Sequence, residues 1–124
     1  MTGVNADPIP DPTLDDEHSP GRPAPTPAAA RPRATLVAAG ELLRALSAPV
    51  RIAIVLQLRE GGRCVHELVD ALGVTQPLIS QHLRVLKSAG VVDGERHGRE
   101  VVYRLVDDHL SHIVVDAVTH AEEE

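Results

Sequence analysis

The fold of this chain is decided by residues 64–90, CVHELVDALGVTQPLISQHLRVLKSAG. Apolar side chains repeat at helical spacing on both sides of Gly73, namely Val65, Leu68 and Leu72 before it and Ile79, Leu83 and Leu86 after it. Gly73 ends the first predicted helix, and Thr75 is a suitable N-cap for the second, which we expect to reach about residue 89. Two short helices joined by a Gly-containing turn, the second with a polar outer face, predict a helix-turn-helix.

A hairpin is predicted directly after this pair of helices. Two β-prone runs, residues 91–96 and 100–105, flank a turn that contains Gly98. Before the pair, residues 35–46 and 50–59 each show helical spacing, and after the hairpin Asp107 or Asp108 caps a last helix. We therefore expect a mostly α fold with a β-hairpin wing, a winged helix-turn-helix.

The composition of the chain changes near residue 33. Eight of the ten prolines lie in residues 1–33, which show no apolar periodicity. We interpret residues 1–33 as a disordered Pro/Ala/Asp-rich tail and residues 34–124 as the winged-helix domain. A domain of about 90 residues with Tyr103 as its single aromatic residue has a small apolar core, so burial between two copies would add stability. We expect a homodimer formed through the first and last helices.

The net charge of −6 is unevenly distributed. Residues 34–106 carry nine basic and seven acidic side chains, whereas residues 107–124 carry six acidic and no basic ones, so the middle of the chain can still meet phosphate. No signal peptide and no apolar run of about 20 residues is present, and no membrane partner is expected. The single cysteine, Cys64, rules out an internal disulfide and is compatible with the reducing cytoplasm, where we place the protein.

The outer face of the second helix carries side chains suited to DNA. Gln bonds an adenine edge, Ser suits a base or a phosphate, and Arg and Lys meet guanine or phosphate. The hairpin turn adds basic side chains that would reach a neighbouring groove or the backbone. Any one of these residues alone would be explained by a solvated helix face, but a helix-turn-helix followed by a basic hairpin favours DNA. The predicted DNA-binding residues are Thr75, Gln76, Ser80, Gln81, Arg84, Lys87, Arg96, His97 and Arg99.

Four candidate metal ligands lie at the two ends of the predicted last helix. Asp107 and His109 begin it, and His120 and Glu123 end it. The two histidines are separated by roughly 16 Å of helix at about 1.5 Å per residue, whereas zinc holds its ligands at roughly 2.0–2.2 Å. Two copies of the helix packed antiparallel would form two equivalent sites, each with one pair from each chain. Imidazole and carboxylate favour zinc or cobalt over monovalent copper.

Several motifs together resemble the ArsR/SmtB family: Ala48-Pro49-Val50-Arg51, Cys64-Val65-His66-Glu67-Leu68, Gln76-x-x-x-Ser80-Gln81-His82-Leu83, and Gly98-Arg99 before Tyr103. The resemblance covers residues 34–124 and implies a dimeric winged-helix repressor that leaves operator DNA when an inducer, usually a metal ion, binds. It implies DNA contacts at Gln76, Ser80 and Gln81, whereas Pro77 departs from the polar residue that is frequent there. The four-ligand spacing resembles the zinc-sensing SmtB branch, so zinc is the predicted regulatory ligand, with cobalt or nickel as alternatives.

A weak second metal site is also considered. In the family this site uses a Cys on the helix before the recognition helix together with ligands from the N-terminal arm. Cys64 and Glu67 match its positions and His66 lies nearby, but residues 1–33 contain no Cys, so a tight thiolate site is not expected. Two residues of the last helix, His112 and Asp116, are interpreted as surface or supporting residues of the main site.

Two alternatives to a zinc-responsive repressor remain open. One is a repressor of the same fold that senses nickel, cobalt or thiol oxidation at Cys64, and another is a winged helix used only for protein interaction. An enzyme is not expected, because the chain has no His-Glu-x-x-His, no phosphate loop and no candidate nucleophile. Four protein ligands would also leave a zinc ion without the open coordination position that catalysis needs.

Overall fold

The structure is a computed structural model that describes residues 19–123. Residues 19–30 are exposed and contain one turn, in which the Arg22 N–H donates to the Ser19 carbonyl at 3.1 Å. They belong to a unit separate from the domain that begins at Arg31. The predicted tail, residues 1–33, falls largely outside the described residues, so its disorder and its boundary stay predictions.

Five helices make up most of the domain: α1 Arg33–Ala45, α2 Pro49–Leu58, α3 Val65–Leu72, α4 Gln76–Ser88 and α5 Asp108–Glu122. Pro49 occupies the first turn of α2, where its missing N–H has no intrahelical partner to lose. Gly73 ends α3 in the left-handed region at φ 66°, a conformation that favours glycine. All five helices were predicted, with ends that differ by one or two residues.

Two predicted helix caps differ from the expectation. Thr75 and Asp107 both occupy N-cap positions with extended backbone, but neither side chain makes a capping hydrogen bond. An N-cap oxygen accepts from the second or third backbone N–H of its helix, and in α4 the second residue is Pro77, which has none. The Asp107 carboxylate is instead directed to His109, with Oδ1 3.5 Å from Nδ1.

The wing is part of a three-stranded antiparallel sheet. Its strands are β1 Arg63–Cys64, β2 Val92–His97 and β3 Glu100–Leu105, in the order β1-β3-β2. His97 pairs with Glu100, so the hairpin turn consists of Gly98 and Arg99, with Gly98 at φ 64°. The hairpin confirms the predicted wing. The short β1 was not predicted, because two residues are too few to show alternation.

The core lies between α2, α3, α4, α5 and the base of the wing. The side chains that are completely buried are Ile54, Val55, Leu68, Ile79, Leu86, Val91 and Val92. By contrast, α1 buries only Ala45 within its own chain, and Leu36, Val37 and Leu43 remain 58%, 49% and 54% exposed. The helix therefore presents an unpartnered apolar face. Within residues 19–123 no helix is long and apolar enough to cross a membrane.

Candidate nucleic-acid interface and metal-ligand pairs

The recognition helix α4 owes its orientation to three apolar side chains. Ile79, Leu83 and Leu86 are buried against the core, which turns the opposite face of the helix outward. Of the predicted DNA-binding residues on this element, Ser80 is half-buried. The others are exposed, namely Thr75, Gln76, Gln81, Arg84 and Lys87. Pro77 is exposed on the same face and offers no hydrogen-bonding group to a base edge. The polar face of α4 is thus available to a groove of DNA.

The wing turn supplies the remaining predicted DNA-binding side chains, and all of them are exposed. The Arg96 guanidinium lies over the turn, with Nη1 3.5 Å from the Gly98 carbonyl oxygen. The His97 ring is occupied locally, because its Nε2 lies 3.2 Å from Oε1 of Glu95. Arg99 lines a cavity of about 330 Å³ with Gln76 at the start of α4. The hairpin turn and the recognition helix therefore bound one cleft.

A second cavity in this cleft adds a residue that the sequence did not predict. Ser80, Arg84 and Lys87 of α4 line about 390 Å³ together with Tyr103 of β3. The Tyr103 ring lies across the strand pair from Gly94, where a Cβ would come within 3.1 Å of Tyr103 Cε1. Hydroxyls and cations lining one cavity are groups that contact DNA phosphates. In the sequence, the feature that could have drawn attention to Tyr103 is that it is the single aromatic residue of the chain.

The metal-ligand candidates form two separate pairs within one chain. Asp107 and His109 come together at the start of α5, and His109 is 90% exposed. His120 and Glu123 are exposed at the other end, where the Glu123 N–H donates to the His120 carbonyl oxygen at 3.2 Å. Across residues 19–123 no three His, Cys, Asp or Glu side chains come close enough to hold a metal ion. Each pair offers imidazole and carboxylate donors that fit zinc but lacks the remaining two ligands.

The side chains considered as additional ligands have other neighbours. His112 lines a cavity with Glu60 and Asp108 near the end of α2, and Asp116 is exposed on α5. The structure does not bring either of them into a ligand cluster with the ends of the helix, within the described residues.

The residues of the weaker second site are engaged in a helix cap. Cys64 is buried, and its backbone N–H donates to Oε1 of Glu67 at 2.9 Å. This hydrogen bond, with that of the Cys64 side chain and the nearby charge of Arg63, lowers the pKa of the Glu67 carboxyl. Glu67 thereby caps the start of α3. His66 is exposed and joins no cluster of three ligands among the residues that the structure covers.

Comparison with known proteins shows which family this chain resembles. Residues 48–93 match the family described as "Bacterial regulatory protein, arsR family". The chain is 74% identical over 100 residues to the HTH-type transcriptional repressor SmtB of Mycobacterium tuberculosis, covering 81% of this chain and 74% of that protein. The chain belongs to the arsR family.

Solved structures of arsR-family and other regulators share the fold. The repressor BigR from Xylella fastidiosa is 38% identical with a TM-score of 0.62, covering 70% of this chain and 87% of that one. A homodimeric winged helix-turn-helix domain from Mycobacterium bovis, a possible ArsR-family regulator, is 28% identical with a TM-score of 0.66, covering 73% and 83%. These matches confirm the predicted ArsR/SmtB resemblance and the winged helix. The prediction that the chain is not an enzyme is also confirmed, because its family consists of regulatory proteins.

Proposed function

We propose that this protein is a zinc-responsive transcriptional repressor that binds double-stranded operator DNA as a homodimer and is released when metal binds between the C-terminal helices. The observation that carries the proposal is the division of four exposed ligands into two pairs at opposite ends of α5. A single protomer gathers no three of them, within the described residues. Identity of 74% to the repressor SmtB supports the same class of function.

The exposed apolar faces support the homodimer. On α1 this surface consists of Leu36, Val37 and Leu43, and α5 adds Ile113, which is 36% exposed. Exposed apolar side chains grouped on one helix face are typical of interaction sites. Two copies joined through α1 and α5 would cover it and would bring the start of one α5 beside the end of the other.

The cleft between α4 and the wing supports DNA as the partner. Arg84 and Lys87 line it from the helix, and Arg99 lines it from the wing turn, while the acidic side chains of α5 lie elsewhere in the fold. Among the described residues, Glu100 is the one carboxylate lining these two cavities, so the charge of the cleft is net positive and suits phosphate. Operator binding also accounts for the predicted cytoplasmic location, since it requires access to the chromosome.

The response to metal follows from where the ligands lie. A bound zinc ion supplies fixed bonds to four nitrogen and oxygen donors. Asp107 and His109 of one protomer, together with His120 and Glu123 of its partner, would then tie the two α5 helices in one arrangement. Because the coupling is reciprocal, a metal ion that weakens DNA binding must itself bind more weakly, by the same factor, when DNA is present.

Metal analysis of the purified protein tests the site. We expect about two zinc ions per dimer from two symmetric sites, and loss of both in a His120→Ala variant. His112→Ala is the matched control, since this residue lies on the same helix and faces the end of α2. Zinc bound equally by His120→Ala and the wild type would refute the site.

Titration of operator DNA tests the response. Duplexes selected from random DNA by the zinc-free protein should bind roughly 5- to 150-fold more weakly when zinc is added, the usual range of allosteric coupling. His120→Ala should bind the same duplexes with an affinity that zinc does not change. Cobalt and nickel titrations under the same conditions decide which ion is the effector. An operator affinity that no metal changes would overturn the regulatory part of the proposal.

A thiol-based signal is the competing proposal for this fold. Cys64 is only 9% exposed, whereas a redox-sensing thiol is accessible to solvent. A Cys64→Ser protein that keeps its metal response and DNA affinity would exclude this alternative.

A further inference from the structure

Arg51, near the start of α2, forms hydrogen bonds with both α1 and the recognition helix α4. Its Nε donates a hydrogen bond to the carbonyl oxygen of Ala45, the last residue of α1. Its Nη1 lies 3.2 Å from Nδ1 of His82, in the middle of the recognition helix. Among residues 19–123, Arg51 is the one side chain hydrogen-bonded to both α1 and α4.

The chemistry of the two contacts fixes their direction. An arginine has only N–H donors, so Nδ1 of His82 must accept and its ring proton must lie on Nε2. The Ala45 carbonyl belongs to the end of α1, where the last carbonyls of a helix lack intrahelical partners. A positive charge there also interacts favourably with the helix dipole. One planar guanidinium therefore holds the end of α1 and the side of α4 at a set distance.

The position of α1 gives this link its consequence. Within its own chain α1 buries only Ala45, with Leu42 packed partly against the core. Its remaining apolar face is exposed and forms part of the dimer surface in the proposed function. In the proposed dimer, the attachment of α1 to α4 would therefore determine the distance and orientation of the recognition helix relative to the dimer axis.

We propose that Arg51 is a positioning residue that sets the separation of the two recognition helices, and hence the half-site spacing that the repressor accepts. The inference rests on the proposed function, because spacing has meaning only for a dimer bound to two half-sites. One added base pair shifts a half-site by about 3.4 Å and about 35° around the duplex. A dimer with fixed α4 helices cannot follow this shift, whereas a loosened one can.

The experiment measures spacing discrimination. Duplexes selected by the wild-type protein are rebuilt with one base pair inserted or removed between the half-sites, and the Kd ratio to the unaltered duplex is determined. In Arg51→Met this ratio should fall about two- to twelvefold, corresponding to a net hydrogen bond of about 0.5–1.5 kcal/mol. Arg59→Met is the matched control, since Arg59 directly follows the last residue of the same helix and its guanidinium lies 3.8 Å from the exposed carboxylate of Glu60. Its ratio should equal that of the wild type.

A second pair of variants separates positioning from stability. His82→Leu removes the acceptor on α4 but leaves the contact to Ala45, and it decides the matter if Arg51→Met does not fold. His82→Gln keeps a side-chain acceptor and should retain the wild-type ratio, whereas His82→Leu should lose it. Equal weakening on every duplex with unchanged ratios would show a merely structural role and overturn the inference. A wild-type protein that selects no duplex at all would overturn the proposed function, and the inference with it.

Discussion

Replacement of Gly94 by alanine should damage the wing and the cleft together. Gly94 pairs with Tyr103 across β2 and β3. An added Cβ would lie 2.8 Å from Val101 Cγ1 and 3.1 Å from Tyr103 Cε1. Favourable carbon contacts lie at about 3.5–4.0 Å, and a valine is stiff at χ1 because it is branched at Cβ. Either the strands separate or the Tyr103 ring swings away.

The expected cost follows from this overlap. Overpacking of one methyl group typically costs about 1–3 kcal/mol. In a domain of this size each kcal/mol lowers the Tm by about 4–8 °C. A displaced Tyr103 ring would also leave the cavity that it shares with Ser80, Arg84 and Lys87. We therefore expect weaker DNA binding at temperatures where the Gly94→Ala protein is still folded.

Thermal unfolding at equal protomer concentration measures the first effect, since the stability of the proposed dimer would depend on concentration. Asp93→Ala is the control, because Asp93 is an exposed neighbour in the same strand and its replacement adds no atoms. Val101→Ala in the Gly94→Ala background removes the closest contact and should recover part of the Tm. A Gly94→Ala protein as stable as Asp93→Ala would refute the reasoning.

Three further predictions concern the core, the α3 cap and the DNA contacts. Leu83→Ala, at 2% exposure, should lower the free energy of unfolding by about 2–5 kcal/mol in a urea titration. The lowered pKa of Glu67 means that its contribution to stability is present above the ordinary carboxyl pKa and is lost as the pH falls through the folded pKa. The stability difference between wild type and Glu67→Ala should therefore vanish on acidification, whereas Asp70→Ala on the same helix should show no such difference. Lys87→Ala should reduce the salt slope of DNA binding by about one, equally on all duplexes; an unchanged slope would remove Lys87 from the phosphate contacts.

Local patterns in the sequence predicted the elements of this fold. The spacing of Ile79, Leu83 and Leu86 predicted both α4 and its buried face, because helical periodicity reports directly which side of a helix meets the core. The two β-prone runs around Gly98 predicted the hairpin, because a short turn that contains glycine lets two such runs pair as neighbouring strands. The separation of His109 from His120 along one helix predicted that a single protomer cannot complete a metal site.

Only the tertiary structure decided which distant residues meet. Arg51 and His82 are 31 positions apart, and neither carries a local pattern that points to the other. The cleft shared by Tyr103 and α4 likewise depends on how the wing folds back, as does the pairing of β1 with β3. Periodicity and turn signals depend on neighbours within a few residues, so they determine the elements and their buried faces. The distances between elements are set by the packing of whole side chains, which no short stretch of sequence contains.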